Sequence, residues 1–159
     1  MSNLKGVIPA VTTPFDAVGE IDEGKFRTQI DFMLSKGVHG LCFAGSTGEG
    51  HTLDIDEFRR LTQITVEQVA GRVPVVAGII ANSTREAIKR GQAIADLAID
   101  ALQITPVHYV FTPDDESNYQ HFKTICETLN RAVLIYNVVP GNLLSTQLVL
   151  RILREIPLV

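Results

Sequence analysis

The sequence predicts a parallel α/β fold of the (β/α)8 barrel class, with residues 1–159 carrying about five of the eight strand–helix units as a single partial domain. Three observations lead there. The apolar runs, such as residues 41–44 and 74–79, are short and continuous instead of alternating, as in strands buried on both faces. Five such runs alternate with stretches of helical periodicity at intervals of about 30 residues, the length of a βαβ unit. Polar side chains follow the C-terminal ends of different runs: Thr12 and Thr13, Ser46 and Thr47, Asn82 to Thr84, Thr105, Tyr136 and Asn137. A barrel builds its site from many strand ends, whereas the competing architecture, an open doubly wound sheet, gathers it at one switch point. A complete barrel needs ~250 residues, so the chain is expected to stop on entering a sixth strand, at residues 157–159.

Each element has a local reason. Residues 6–11 read as the first buried strand. Asp22 caps a helix to about Lys36, with Phe26, Ile30, Met33 and Leu34 at helical spacing and Gly37 just past its end. The second strand is residues 41–44. Asp54, with Glu57 three residues on, makes a capping box, and Ile55, Phe58, Leu61, Ile64 and Val69 form the inward face of that helix. Residues 74–79 are the third strand. Ser83 and Glu86 start a helix whose stripe is Ala87, Ile88, Ile94, Ala95 and Ala98. Residues 101–104 form the fourth strand, followed by a helix over 115–129 with Tyr119, Phe122, Ile125, Cys126 and Leu129 inward. Residues 133–136 form the fifth, and Ser145 opens a helix that buries Leu148, Val149, Ile152 and Ile156.

Composition narrows the function classes. Hydrophobic residues make up 45% and charged residues 20%, a globular balance, and the net charge is −4. No basic run exceeds Arg59–Arg60, which argues against nucleic acid and membrane surfaces as partners. The two cysteines, Cys42 and Cys126, lie in apolar segments and read as reduced core residues. The N-terminal apolar run is short and broken by Pro9, unlike a signal peptide. A cytoplasmic protein is expected. His39, His51, His108 and His121 lack metal-ligand spacing, so neither a metal nor another cofactor is expected. Surface or core roles are expected for all four, with entry into the site mouth the alternative reading for His108.

The chemistry concentrates after the second strand. Gly45, Gly48 and Gly50 flank the adjacent hydroxyls of Ser46 and Thr47. Glycines permit a sharp turn and close approach to a ligand. Successive amides and hydroxyls make a concavity for an anion. Ser46, Thr47 and Gly48 are therefore the candidate binding residues. Glu49 is expected to bond back into this turn. Thr12 and Thr13 either cap their own turn or touch the ligand.

The segment Gly45-Ser-Thr-Gly-Glu49 with Leu53 resembles the signature of the dihydrodipicolinate synthase and N-acetylneuraminate lyase family, pyruvate-dependent class I aldolases on a (β/α)8 barrel. Residues 9–15 (PAVTTPF), 78–84 (GIIANST), Thr105–Pro106 with residues 119–122 (YQHF), and 134–137 (LIYN) with Pro140 are similar to the family's other marks, in the same order. The resemblance implies that a lysine at the end of the sixth strand forms a Schiff base with pyruvate. It further implies that Ser46 and Thr47 hold the pyruvate carboxylate and that Tyr136 shuttles protons. An iminium is an electron sink that lets a neighbouring C–C bond break or form. A phenol with an ordinary pKa of ~10 needs a relay to act near neutral pH, and Thr47 is the expected relay to Tyr136. Tyr109 resembles the tyrosine that reaches a neighbouring subunit's site, so a homo-oligomer, dimer or tetramer, is implied.

Two departures redirect the reading. Residues 136–142 (YNVVPGN) place Asn142 where the synthases carry an arginine for their second substrate's carboxylate. Residues 105–113 form a longer loop than the family's usual one. An aldolase or lyase for another 2-keto acid is therefore expected. The five lysines, Lys5, Lys25, Lys36, Lys89 and Lys123, all fall before the first strand or on and at the end of helices. None is a Schiff-base candidate, so residues 1–159 alone are expected to be inactive. The competing readings are a barrel fragment that only binds a carboxylate or self-associates, and a phosphate-binding barrel enzyme. The latter is disfavoured because barrel phosphate sites use the seventh and eighth loops.

Overall fold

The computed structural model describes residues 4–110 and 112–159. In chain order the elements are α1 (Glu23–Ser35), β1 (Leu41–Phe43), α2 (Ile55–Val69), β2 (Val75–Ile79), α3 (Thr84–Ala93), β3 (Ala101–Ile104), α4 (Asp115–Leu129), β4 (Val133–Ile135) and α5 (Thr146–Glu155). The four strands pair in parallel in the order β1-β2-β3-β4. Spatial order thus follows chain order, with a helix between each pair. A doubly wound sheet must reverse that order at its switch point; this sheet does not, and the architecture is that of a (β/α)8 barrel.

Cap chemistry sets the helix starts. Asp22, Asp54, Ser83, Asp114 and Ser145 each accept a hydrogen bond from an amide in the first turn. At Asp54 the box closes, with the Asp54 amide donating to Glu57 Oε2 at 2.7 Å. Gly37, just past α1, has φ 73°, which suits a residue without a Cβ.

Three boundaries differ from expectation. Residues 6–11 are not a regular strand. The segment runs beside β1 through one parallel bridge, Ala10 to Cys42, with the Val11 amide donating to the Cys42 carbonyl at 2.8 Å. Pro9 has no amide hydrogen and contributes only its carbonyl, to Cys42 N at 3.0 Å. α3 ends at Ala93, not near residue 98; Ile94 is buried as expected, but Ala95 and Ala98 are exposed and Ile99 packs inward instead. Residues 157–159 form a turn, although the Leu158 carbonyl accepts from Val133 N at 2.7 Å.

The sheet separates two apolar layers. The larger lies between sheet and helices and includes Phe26, Ile30, Phe43, Phe58, Leu61, Ile79, Leu102, Phe122 and Ile152. The smaller, on the inner face, is Cys42, Val76 and Ala101, with Leu4, Ile8 and Ala132 against it. The register Cys42–Val76–Ala101 and Gly78–Gln103–Leu134 defines successive layers of that inner face. Among the described residues no helix is long and apolar enough to cross a membrane.

Candidate active site

β1 feeds directly into the glycine turn. Ala44, the residue after Phe43, already adopts φ 51°, and Glu49 adopts φ 52°; both are left-handed conformations that L side chains rarely take. The turn closes on itself through Gly48 N to Gly45 O at 3.1 Å, Gly50 N to Gly45 O at 3.1 Å and Glu49 N to Ser46 O at 3.2 Å. Ser46 and Thr47 stand exposed at its crest. Among the described residues their amides and hydroxyls have no hydrogen-bond partner within the protein. Two adjacent amides and two hydroxyls are thus available to an anion, as a backbone concavity requires.

Packing holds this turn from several sides. A Cβ on Gly50 would overlap the Ala44 carbonyl, and one on Gly78 of β2 would lie 2.6 Å from the Gly45 backbone. Buried Thr13 donates its hydroxyl to the Gly48 carbonyl at 2.6 Å. Arg90, on α3 and only 8% exposed, donates to the Gly50 carbonyl at 3.2 Å and the Leu53 carbonyl at 2.7 Å. The same guanidinium pairs with Glu86 at 3.3 Å and lies over the Phe58 ring at 5.6 Å. Neither Arg90 nor Thr13 is marked as part of the turn by any local pattern; their partners are about 35 to 40 residues away in the chain. Thr12 points elsewhere, its hydroxyl accepting from Gln29 Nε2 at 2.6 Å. Glu49 joins the turn through its backbone: its carbonyl accepts the amide of Thr52 at 2.9 Å and the hydroxyl at 2.8 Å. Its amide bonds back to the Ser46 carbonyl at 3.2 Å, as expected, and these bonds are made by the backbone and not by the carboxylate.

Tyr136 follows β4 on the same rim, half-buried, its amide donating to the Ile104 carbonyl at 2.8 Å. It sits at the opposite edge of the sheet from the turn, three strand spacings or ~14 Å along the sheet. Among the described residues no hydrogen bond joins Thr47 to Tyr136. Asn137 clamps the loop behind it, with its carboxamide bonded to both amide and carbonyl of Leu144. Asn142 is buried: it donates to the Val107 carbonyl and exchanges long bonds of 3.3 and 3.4 Å with Asn118. It ties the loops after β3 and β4 to α4 and is not free to receive a substrate. Tyr109 is 66% exposed on the loop after β3. His108 is half-buried on that loop, its Nδ1 3.2 Å from the Pro106 carbonyl, and it lines a groove of about 180 Å³ with Pro140 and Gly141.

Two buried titratable groups lie beneath the rim. His121, on α4, bridges the Thr84 hydroxyl at 2.9 Å and the Thr105 carbonyl at 3.1 Å. A carbonyl only accepts, so Nε2 carries the proton and Nδ1 accepts from Thr84. Burial pushes this imidazole down to about 4, so it is neutral. Burial likewise pushes the Cys42 thiol up to about 11, and it donates to Gln103 Oε1 at 3.2 Å; it is a protonated packing group, not a nucleophile. The lysines Lys25, Lys89 and Lys123 lie on α1, α3 and α4, and Lys36 caps the end of α1 over the Phe32 ring. Lys25 pairs with Asp22 at 2.8 Å. Among the described residues no group of three metal-ligating side chains converges.

The Dihydrodipicolinate synthetase family profile matches residues 3–157. Over 158 residues the chain is 38% identical to 4-hydroxy-tetrahydrodipicolinate synthase of Bacillus subtilis, covering 98% of this chain and 54% of that enzyme. Over 138 residues it is 41% identical to the enzyme of that name from Nitrosospira multiformis, covering 87% and 45%. The chain thus spans about half the length of the curated relatives it matches. Among solved structures, the chloride-inhibited dihydrodipicolinate synthase of Acinetobacter baumannii complexed with pyruvate superposes with TM-score 0.92 at 33% identity, over 97% of this chain and 53% of that one. A prophage protein of the same family from E. coli K12, in complex with pyruvate, superposes with TM-score 0.93 at 26% identity, over 99% and 53%. With a strand order that never reverses and a glycine turn on the rim of its sheet, the chain belongs to the dihydrodipicolinate synthetase family.

Proposed function

We propose that the native protein is a Schiff-base-forming aldolase or lyase acting on pyruvate or another 2-keto acid. The observation that carries this is the turn at residues 45–50, rigidly packed yet with the amides and hydroxyls of Ser46 and Thr47 left open. Such a turn binds a carboxylate. A substrate amine adduct beside it loses water to give an iminium, and the iminium accepts the electron pair of a neighbouring C–C bond. Tyr136, on the same rim, moves the proton, with Thr47 as its relay. The pyruvate complexes of two structural relatives support this substrate class. The amine comes from the lysine that the resemblance places at the end of a sixth strand, because the five lysines of this chain all lie off the rim.

Asn142 supports a reaction other than that of the synthases. Its carboxamide is spent on Val107 and Asn118. The next arginine, Arg151, is bound to Glu116 at 2.7 Å and stacked 3.8 Å over the Tyr119 ring. Among the described residues, no cation on the loops after β3 and β4 is placed to take a second carboxylate. The native protein is read as a homo-oligomer with exposed Tyr109 at a subunit boundary.

Borohydride reduction in the presence of pyruvate tests the proposal. The native protein is expected to gain the mass of one reductively fixed pyruvate, and Thr47→Val and Tyr136→Phe to lower turnover by about a hundredfold, in the range of lost general acid–base catalysis. Residues 1–159 alone are expected to gain none. A label on Lys5, Lys25, Lys36, Lys89 or Lys123 overturns the assignment. The position of those five lysines also favours a second reading, in which this chain binds the carboxylate without turning it over; pyruvate binding with no label in the native protein selects it.

A further inference from the structure

Gln103 is a polar residue in the apolar inner face of the sheet. It lies in β3, two residues before the rim, in the layer Gly78–Gln103–Leu134. Gly78 is its register neighbour in β2, and the Gln103 carboxamide reaches past that strand to β1. There its oxygen accepts the Cys42 thiol at 3.2 Å. That thiol stays protonated, since burial raises it to about 11, so the bond persists across the working pH range and fixes which way the amide faces.

The nitrogen end is therefore directed at the glycine turn. Nε2 lies 3.8 Å from where a Cβ on Gly45, the first residue of the turn, would stand. Among the described residues it has no hydrogen-bond acceptor, and unlike the Thr105 hydroxyl it is not sealed from solvent. Two N–H donors, oriented by a buried thiol, thus face the floor of the anion turn. An oriented donor without a protein acceptor is what an anion site supplies to its ligand.

We infer that Gln103 is a specificity residue that donates from below to the carboxylate held by Ser46 and Thr47. The inference rests on the function proposed above and adds a donor that the turn itself does not contain. A hydrogen bond to a charged group is worth about 1.5–3 kcal/mol, which is about tenfold or more in affinity.

The test is a titration of the native protein with pyruvate and with uncharged methyl pyruvate, following the backbone amides of Ser46 and Thr47 by NMR. Gln103→Leu keeps the volume and removes the donors. It is expected to weaken pyruvate about tenfold and leave methyl pyruvate within about twofold. Gln103→Glu at pH 8 is expected to weaken pyruvate further, by placing a carboxylate against a carboxylate. Equal affinity of Gln103→Leu and the unaltered protein for pyruvate overturns the inference. So does equal loss for both ligands, which is the signature of a packing role. Failure of pyruvate to shift Ser46 and Thr47 in the unaltered protein overturns the proposed function itself, a result distinct from either.

Discussion

The loop after β1 and the loop after β3 sit on the same rim but are held in different ways. The first is locked by backbone. Gly50 and Gly78 permit contacts that no side chain could survive, two residues are left-handed, and Thr13 and Arg90 fasten its carbonyls from behind. The second is held by side chains: the carboxamide of Asn142 on Val107, the hydroxyl of Thr112 on Gly141 at 2.8 Å, and His121 under Thr105. It carries Tyr109 and Val110 at 66% and 81% exposure. On the function proposed above, the loop that offers its amides to an anion is built from immovable parts, and the loop that carries exposed Tyr109 is hung on replaceable ones.

Breaking the first loop should be costly. Gly50→Ala drives a methyl into the Ala44 carbonyl, and a loss of about 4 kcal/mol in unfolding free energy is expected, read by urea titration. The second loop should yield to acid. The His121 imidazole has a folded pKa of about 4 against an ordinary 6.5, so the unfolded chain binds the proton first. Stability is full above pH 6.5, falls as pH drops toward 4, and then levels, with ~3 kcal/mol lost in total. His121→Gln should flatten that part of the pH–stability curve. Arg90→Met should cost ~2 kcal/mol by orphaning the Gly50 and Leu53 carbonyls, and should broaden the Ser46 and Thr47 amide signals while sparing those of residues 107–110. At the small end, Tyr109→Ser should change stability by less than about 0.5 kcal/mol, because the ring is exposed; sedimentation then shows whether it alters association.

What the sequence revealed of this fold was what is decided within four residues. Asp54 with Glu57, Ser83 with Glu86, and Ser145 mark helix starts because capping is local chemistry, and all three are observed. The turn at residues 45–50 was legible because glycines and hydroxyls announce it. Distant partners were not legible. Arg90 has the helical neighbours of any surface arginine, and only the folded chain brings Gly50 and Leu53 to it. Asn142 invited comparison with a substrate-binding arginine, yet its partners Val107 and Asn118 make it a fastener. Residues 6–11 are apolar enough for a strand, but Pro9 cannot donate and the ladder reduces to one bridge. The end of α3 was missed because Ala95 and Ala98 continue the helical spacing while the chain turns at Ile94.

Gly78 has a consequence for how this protein can change. The absent methyl admits the backbone of Ala44 and Gly45, where the glycine turn begins. Positions 45 and 78 are therefore coupled: any larger residue at 78 displaces the turn. A mutant library that keeps glycine at 78 and varies position 103, its register neighbour, should return new ligand preferences with the turn's backbone packing intact.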